Sequence, residues 1–355
     1  MSYEEKLSTY LNRSKLLTNV GYEKKIRIAI LGSFTLNGLE ETIRVKCADR
    51  KIQCSIYVAG YNQYNQEILN EKSELYKFAP DITFLIIDSR DIIGELFLNP
   101  YSISVQERKN LEEEKNDTII NLAHTFVAYS KSKLILSNFS IPSYSPIGIN
   151  EIREEFGLHE MIRSLNYKIK TALSSTPEIF IYDLNSFVTK FGENNIFDYK
   201  QFFYGDVKIS LDHIPYLAEE FMGYVNAVLG LNKKCIVLDL DNTLWGGIIG
   251  EDGLEGIKLG DGPIGRAYVE FQRHLLALNQ RGIILAINSK NNFDDAIEVI
   301  RKHPNMILKE DNFASIRIDW NDKVENIKEI AEELNIGLDL HRRVLRSCHG
   351  LFCHL

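Results

Sequence analysis

The sequence predicts an α/β protein made of two doubly wound, Rossmann-like α/β/α domains. Two observations lead to this prediction. Short runs rich in β-branched and aromatic residues alternate along the chain with longer segments of helical period. These short runs are apolar throughout, which is typical of parallel strands that helices cover on both faces. The length of 355 residues suits two domains, and we place the boundary at residue 231.

The first domain, residues 1–230, contains short β-rich runs bounded by Gly, Pro, Asn, Asp or Ser. The predicted strands are 26–34, 54–60, 82–88, 133–141 and 179–184. Apolar stripes predict helices over about 107–129 and 150–173. A further helix over 214–229 ends before Gly230, a common position for a terminating glycine.

The second domain, residues 231–338, starts a new α/β unit. The predicted elements are a strand over 235–240, a helix over 263–280, a strand over 282–289, a helix from Phe293 and a helix over 323–334. A glycine-rich segment lies between the first strand and the first helix. This alternation predicts a second parallel sheet.

Composition and charge narrow the possible functions. The net charge of −8 argues against a nucleic-acid partner, because such binding needs a cationic surface. The five cysteines fit no disulfide framework, which suits a reducing compartment. The N-terminal segment lacks the apolar core of a signal peptide, and no run of residues has the length and apolarity of a membrane span. We therefore expect a cytoplasmic protein without a membrane partner.

Two aspartates, Asp239 and Asp241, follow the apolar run CIVL within the sequence DLDNT. Ligands of open parallel sheets bind beyond the carboxyl ends of the strands, so both side chains lie where chemistry is expected. Two like charges this close repel each other unless a cation lies beside them, and Mg²⁺ prefers oxygen ligands. The alternative is a turn in which the aspartates only cap backbone amides. We predict a Mg²⁺ site at Asp239 and Asp241.

The combination of DLDNT, SK at the end of the next strand and a downstream lysine at a helix start resembles the haloacid dehalogenase superfamily. This resemblance implies that Asp239 is the nucleophile that accepts a phosphoryl group and that Asp241 is the general acid and base. It also implies that Thr243 positions Asp241, Ser289 binds phosphoryl oxygens and Lys323 balances charge.

The stretches DLDNTLWGGIIGEDG, GPIGRAYVEFQ and LAINSKNN are similar to the FkbH-like proteins, the IIIC class of haloacid dehalogenase phosphatases, over about 233–338. The resemblance implies an enzyme that removes phosphate from 1,3-bisphosphoglycerate and loads the glyceryl group on an acyl carrier protein for polyketide-type biosynthesis. Too few residues separate Asp241 from Ser289 for a large cap domain, so the site should be open to a protein-borne arm. The alternatives are a simple phosphatase for a small phosphate ester and an inactive, carrier-binding chain.

Several residues near these motifs are further candidates. We assign substrate binding to Thr243, Trp245, Gly246, Gly247 and Asn291. The glycines would let backbone amides approach a phosphate, and the indole would form a wall of the pocket. A glycine hairpin with a packed tryptophan is the alternative, and both can hold. Lys290 competes with Lys323 for the role of the charge-balancing lysine. Cys235 starts its strand at the end opposite Asp239, so we assign it to packing.

The first domain resembles the SGNH-like, flavodoxin-like half that precedes the phosphatase-like half in FkbH-like proteins. Ser33 takes the place of the SGNH serine, and Gly60, Asn138 and His213 follow later strands. The block GSFT differs from G-D-S, and Asp212 directly precedes His213 without the D-x-x-H spacing. A Ser–His pair can activate a nucleophile, whereas Ser and Asn at strand ends often only cap helices. We favour a structural or carrier-docking role.

The last segment, residues 339–355, departs from the FkbH-like pattern. That pattern has another apolar strand ending in two acids, whereas the sequence continues LHRRVLRSCHGLFCHL, whose arginines do not suit a buried strand. Its possible metal ligands, in a spacing that matches no usual zinc pattern, are Cys348, His349, Cys353 and His354. We interpret the segment as an aberrant tail, truncated or out of frame.

Without the further strand, the second domain is a HAD-like fold that lacks its last strands. The strand before Asp239 would then be an unpaired edge. Mg²⁺ would be held by Asp239, Asp241 and water alone, so we expect weak metal binding and low turnover.

Overall fold

The computed structural model describes residues 4–17 and 21–337. Contacts divide the described chain into two compact units, one covering Glu4–Leu231 and one starting at Asn232. Both units are α/β with parallel sheets, as the sequence predicts. The tail over 339–355 lies outside the described residues. Among the described residues, no helix is long and apolar enough to cross a membrane.

The first unit is built on a parallel sheet. Its strands are β1 (Lys24–Gly32), β2 (Ile52–Val58), β3 (Ile82–Ile86), β4 (Lys133–Ser137) and β5 (Ile179–Tyr182). The order is β2-β1-β3-β4-β5, that of a flavodoxin-like, doubly wound sheet. Each strand overlaps one of the runs that the sequence predicts as strands.

Helices cover both faces of this sheet. They are α1 (Leu7–Leu16), α2 (Leu39–Asp49), α3 (Tyr64–Leu69), α4 (Glu74–Phe78), α5 (Ser89–Ile93), α6 (Val105–Tyr129), α7 (Leu158–Leu173), α8 (Leu184–Phe191), α9 (Glu193–Ile196), α10 (Tyr199–Gly205) and α11 (Ile214–Val228). Successive residues of β3 point to opposite faces. Phe84 packs in one core and stacks on Phe221 with ring centroids 4.0 Å apart, whereas Leu85 packs with Phe126 in the other core. The sheet is therefore buried on both sides.

The helix that the sequence predicts over 150–173 is shorter in the structure. A 3₁₀ turn covers Gly148–Arg153, and α7 starts only at Leu158. Phe156 has a φ of 54°, a left-handed conformation that interrupts a right-handed helix. The apolar stripe identified the helix correctly but placed its start too early.

The second unit repeats the strand–helix alternation around a smaller sheet. Its elements are β6 (Cys235–Leu238), α12 (Ile249–Gly256), α13 (Pro263–Gln280), β7 (Ile284–Ser289), α14 (Phe293–Lys302), β8 (Phe313–Ile318) and α15 (Lys323–Glu333). Within the described residues the strands are parallel in the order β6-β7-β8. In the same range β6 pairs with β7 alone, and the segment expected to supply a further strand lies outside it.

Strand β8 is absent from the sequence prediction. It contains Arg317, whose charge is unusual in a parallel strand. The guanidinium is neutralised by Glu329 and Glu333 of α15, at 3.2 and 2.8 Å. The charge therefore lies between the strand and its covering helix, and the run FASIRI forms a strand despite its polar residues.

A buried glutamine connects three segments of the second unit. Gln272 of α13 is fully buried, and its Nε2 donates to the carbonyl oxygen of Leu244 at 2.7 Å. Its Oε1 accepts from the backbone amides of Ile307 and Leu308, at 2.8 and 3.2 Å. One side chain thus satisfies three backbone groups, including one in the turn that follows Asp241.

We expect Gln272→Ala to destabilise the second unit by about 3 kcal/mol, because it leaves buried backbone groups without partners. Urea unfolding followed by tryptophan fluorescence measures this, since both tryptophans of the chain lie in this unit. The control is Arg273→Ala, which removes a side chain 63% exposed on the same helix and should cost less than about 0.5 kcal/mol. Equal losses in the two variants would contradict the role assigned to Gln272.

Candidate active site

Three loops at the carboxyl edge of the second sheet bring the predicted site residues together. Asp239 follows β6 directly, Ser289 is the last residue of β7, and Lys323 is the first residue of α15, which follows β8. Because parallel strands end at one edge of their sheet, residues far apart in sequence meet there. The structure therefore assembles the residues of all three sequence motifs in one place.

The carboxylate of Asp239 is held by donors on both oxygens. Oδ1 accepts from the Ser289 hydroxyl at 2.8 Å and from the backbone amide of Leu240 at 3.0 Å. Oδ2 accepts from Nζ of Lys323 at 2.5 Å. The side chain is 24% exposed, so the carboxylate is oriented and still reachable. This geometry suits a nucleophile at the base of an open site.

The carboxylate of Asp241 is fixed by different donors. Oδ1 accepts from Nε1 of Trp245 at 2.9 Å and from the backbone amide of Ile249 at 3.2 Å. Oδ2 accepts from Nδ2 of Asn291 at 3.0 Å. Nδ2 of Asn291 also lies 3.2 Å from the hydroxyl oxygen of Ser289. A chain of hydrogen bonds therefore runs from Asp241 through Asn291 and Ser289 to Asp239.

The two lysines considered from the sequence differ clearly in the structure. Lys323 forms an ion pair with Asp239, whereas Lys290 is exposed and forms no ion pair within the described residues. The helix start explains the difference. Asp322 caps α15 by accepting from the amides of Val324 and Glu325, which fixes the first residue of the helix beside Asp239.

Sequence reasoning missed a set of asparagines beneath the site. Nδ2 of Asn288 donates to the carbonyl oxygen of Lys323 at 2.8 Å, and Asn288 accepts from buried Asn326 at 3.3 Å. Nδ2 of Asn326 also donates to Asp319 at 3.0 Å. These contacts fix the loop that carries Lys323. The sequence feature that could have revealed this set is Asn288, which directly precedes Ser289 in AINSKNN. It is not part of the superfamily motifs used to identify the site.

The structure does not place three of the residues predicted to bind substrate, Thr243, Gly246 and Gly247, where they could contact a phosphate. The amide of Gly246 donates to the Lys258 carbonyl at 3.1 Å, and that of Gly247 donates to the Asn242 side chain at 3.0 Å, so neither amide is available for a phosphate. The glycines serve close packing instead. A Cβ on Gly246 would lie 2.8 Å from the Tyr268 ring, and Gly247 has a φ of 102°. Thr243 is buried, and its hydroxyl has no partner among the described residues, so it does not bond Asp241.

Trp245 does not form a pocket wall. Its side chain is fully buried, and its indole N–H donates to Asp241. The role that fits this placement is orientation of the Asp241 carboxylate from below.

The oxygen ligands available at this site suit Mg²⁺. Asp239 and Asp241 offer hard carboxylate oxygens, and Mg²⁺ is commonly bound by one or two carboxylates with water and substrate phosphate completing its shell. No group of three or more His, Cys, Asp or Glu side chains suited to a metal occurs in 4–17 or 21–337. Among the described residues, Asp239 and Asp241 are the residues that would hold Mg²⁺ here.

In the first unit, Ser33 lies in a buried polar cluster. It is 1% exposed, and its Oγ accepts from the backbone amide of Asp88 at 2.9 Å. Burial raises the pKa of the nearby Asp91 carboxyl, and the Ser33 hydroxyl partly offsets that rise. Lys208 pairs with the buried carboxylate of Asp88. Among the described residues no imidazole takes part in this cluster, so Ser33 has no histidine there to act as its general base.

The other SGNH-like positions have local partners. Nδ1 of His213 lies 3.1 Å from the Ser210 hydroxyl, and burial lowers the pKa of the imidazole. Asn138 donates to Asp183 at 2.7 Å and accepts from the Asn185 amide at 3.0 Å, at the start of α8. His213 and Ser33 form no dyad, and Asn138 stabilises a helix start.

Cys235 begins β6, at the strand end opposite Asp239, and is half-buried. Burial raises the pKa of its thiol, which keeps it neutral and poorly nucleophilic. These facts agree with the packing role expected from the sequence.

A family model described as "FkbH, N-terminal domain" matches residues 27–226 of the chain. Among solved structures, the chain is similar to the N-terminal part of protein BF1531 from Bacteroides fragilis, which contains a phosphatase domain and is complexed with Mg. The identity is 29% and the TM-score 0.83, over 94% of this chain and 86% of that chain.

A more distant similarity is to a catalytic mutant of Axe2, an acetylxylan esterase from Geobacillus stearothermophilus. The identity is 13% and the TM-score 0.36, over 58% of this chain and 95% of that chain. A TM-score this low does not establish a shared fold or function. No curated protein matches the chain.

We expect Ser33 to resist phenylmethylsulfonyl fluoride, because the residue is buried and no histidine contacts it within the described residues. Intact-protein mass spectrometry after incubation with the reagent should show no sulfonyl adduct that Ser33→Ala removes. An adduct present in the wild type and absent from Ser33→Ala would show an activated serine and contradict this assignment.

Proposed function

The chain belongs to the FkbH family, and on this premise we propose that it is a HAD-type, Mg²⁺-dependent phosphatase that also transfers a glyceryl group. The observation that carries the proposal is the environment of Asp239. Its carboxylate is oriented by Lys323 and Ser289 and lies two residues from Asp241, which separate donors hold. The similar part of BF1531 contains a phosphatase domain and is complexed with Mg, which supports a Mg²⁺-dependent phosphatase function for this chain.

The first chemical step is phosphoryl transfer to Asp239. A carboxylate oxygen attacks the phosphorus, and the bond between phosphorus and the substrate oxygen breaks. Asp241 acts as the general acid and passes a proton to the departing oxygen. Lys323 and Ser289 are placed to bind phosphoryl oxygens while negative charge builds up on them. When bound at Asp239 and Asp241, Mg²⁺ supplies further positive charge toward the phosphoryl group.

The second step hydrolyses the aspartyl phosphate. Asp241, now ionised, accepts a proton from water, and the water oxygen attacks the phosphorus. The bond between phosphorus and the Asp239 oxygen breaks, which releases phosphate and restores the carboxylate. Trp245 and Asn291 keep Asp241 in one orientation through both steps, because they donate to opposite oxygens of its carboxylate.

We assign 1,3-bisphosphoglycerate as the substrate and an acyl carrier protein as the acceptor, as the family resemblance implies. The phosphate ester of the substrate is hydrolysed at Asp239, and the carrier thiol displaces the acyl phosphate to form a glyceryl thioester. The reaction consumes one thiol and one water and releases two phosphates. The short connection between β6 and β7, whose only helices are α12 and α13, leaves no room for a large cap domain and supports the proposal of a protein-borne substrate arm.

We expect Lys323→Met to lower kcat for phosphate release by roughly 100-fold, because it removes the cation that contacts Asp239. The matched control is Lys290→Met, which removes an exposed lysine and should change kcat by less than about twofold. Steady-state phosphate release from acetyl phosphate with Mg²⁺ measures both. Equal losses in the two variants would contradict the role of Lys323.

Intact-protein mass spectrometry tests the transfer. The full chain is incubated with a phosphopantetheinylated acyl carrier protein, 1,3-bisphosphoglycerate and Mg²⁺, beside an Asp239→Asn control. A glyceryl mass on the carrier, lost in the control, is the expected result. Phosphate release without a glyceryl adduct would leave a simple phosphatase and remove the transferase part of the proposal.

A further inference from the structure

A cleft lies at the carboxyl edge of the sheet in the first unit, apart from the site around Asp239. Its lining comes from several segments, since Asp88 follows β3, Ser140 follows β4 and Lys208 follows α10. The cleft contains about 380 Å³ of space, including space open to solvent. Doubly wound sheets bind ligands at this edge, so the cleft is placed where a ligand is expected.

The guanidinium of Arg90 lines this cleft between aromatic rings. Its Cζ lies 5.2 Å from the ring centre of Phe97, 5.9 Å from that of Tyr199 and 5.4 Å from that of Phe202. Contacts with ring faces hold the cation in place but satisfy none of its five N–H donors. Within the described residues the guanidinium forms no hydrogen bond and no ion pair. Its donors are therefore open to a ligand.

The carboxylates that line the cleft have other partners. Asp88 forms a buried ion pair with Lys208. Asp198 caps α10, and Glu193 accepts from a backbone amide at 2.6 Å. None of them compensates the guanidinium by an ion pair. They would repel a ligand with several negative charges, so the cleft suits a ligand with one.

A buried hydroxyl and apolar side chains complete the lining. Ser140 is 4% exposed, and its hydroxyl forms no hydrogen bond within residues 4–17 and 21–337. Buried polar groups in proteins are normally paired, so an unpaired hydroxyl at a cleft is a second group available to a ligand. Much of the remaining surface is apolar and comes from Phe97, Pro142, Phe197 and Phe202. The cleft thus combines a cation and a hydroxyl with apolar walls.

We propose that this cleft binds a small organic anion with one carboxylate and a short apolar chain. The planar guanidinium of Arg90 can donate two parallel N–H groups to a carboxylate, and the apolar side chains cover the chain of the ligand. Ser33 lies beside Asp88 and has no histidine partner among the described residues, so the proposal assigns binding and no reaction. It is independent of the function proposed for Asp239.

Saturation-transfer NMR with butyrate and butyramide tests the proposal on the full chain. The two molecules have nearly the same shape and differ in charge. Butyrate should bind saturably with a Kd of roughly 1–10 mM, and butyramide should bind at least about tenfold more weakly. Equal binding of both, or saturable binding of neither, would overturn the proposal. Displacement of butyrate by an equal concentration of inorganic phosphate would also contradict it, because the carboxylates of the cleft should exclude a multiply charged anion.

Variants locate the binding. Arg90→Gln should weaken butyrate binding at least about tenfold, whereas Arg153→Gln, at an exposed arginine of the same unit, should leave the Kd within about twofold. Phe202→Leu removes one ring beside the guanidinium and should weaken binding about threefold. Its control is Tyr204→Leu, at a side chain that is 87% exposed on the same helix.

Circular dichroism melting establishes that each variant is folded. Unchanged butyrate binding in folded Arg90→Gln, or equal losses in Arg90→Gln and Arg153→Gln, would overturn the proposal. If Arg90→Gln does not fold, the comparison of butyrate with butyramide on the wild type still decides, since it needs no substitution. Phosphate release from acetyl phosphate by the wild type tests the proposed function separately, so either proposal can fail without the other.

Discussion

The second unit depends on one electrostatic constraint, the placement of two carboxylates at the end of a single short strand. Asp239 and Asp241 are two residues apart, so their charges repel each other unless other groups compensate. The ammonium of Lys323 compensates Asp239, and the N–H groups of Trp245 and Asn291 compensate Asp241. These donors come from three different loops, so the carboxylates are oriented only when all three are in place.

The fold supplies those donors because parallel strands end at one edge. Ser289 pairs in register with Ile318, which places the loops after β7 and β8 side by side. Asn288 then binds the carbonyl of Lys323, and Asp322 caps the helix that starts there. The ammonium is thus positioned by backbone contacts on both sides of its own residue. The same two loops are also joined by a hydrogen bond from the Trp320 indole to the Asn292 side chain.

The sequence predicts most of this site and only part of what surrounds it. The position of Asp239 and Asp241 at a strand end pointed to a site, and the resemblance to the haloacid dehalogenase superfamily added Ser289 and Lys323, which the topology then brings together. The sequence left open whether the glycines bind phosphate or form a packed hairpin, and the structure favours the hairpin, since their amides bond the Lys258 carbonyl and the Asn242 side chain. The sequence missed strand β8 because the charge of Arg317 is neutralised from another helix, and it started α7 too early because Phe156 adopts a left-handed conformation.

The central claim is that Asp239 accepts the phosphoryl group. Acid quenching of a single turnover with radiolabelled acetyl phosphate and Mg²⁺, followed by peptide mapping, tests it directly. The account predicts label on the peptide that contains Asp239, released by hydroxylamine as expected for an acyl phosphate and absent in Asp239→Asn. Turnover without label on the protein, or label on Ser289 or Ser33, would contradict the account.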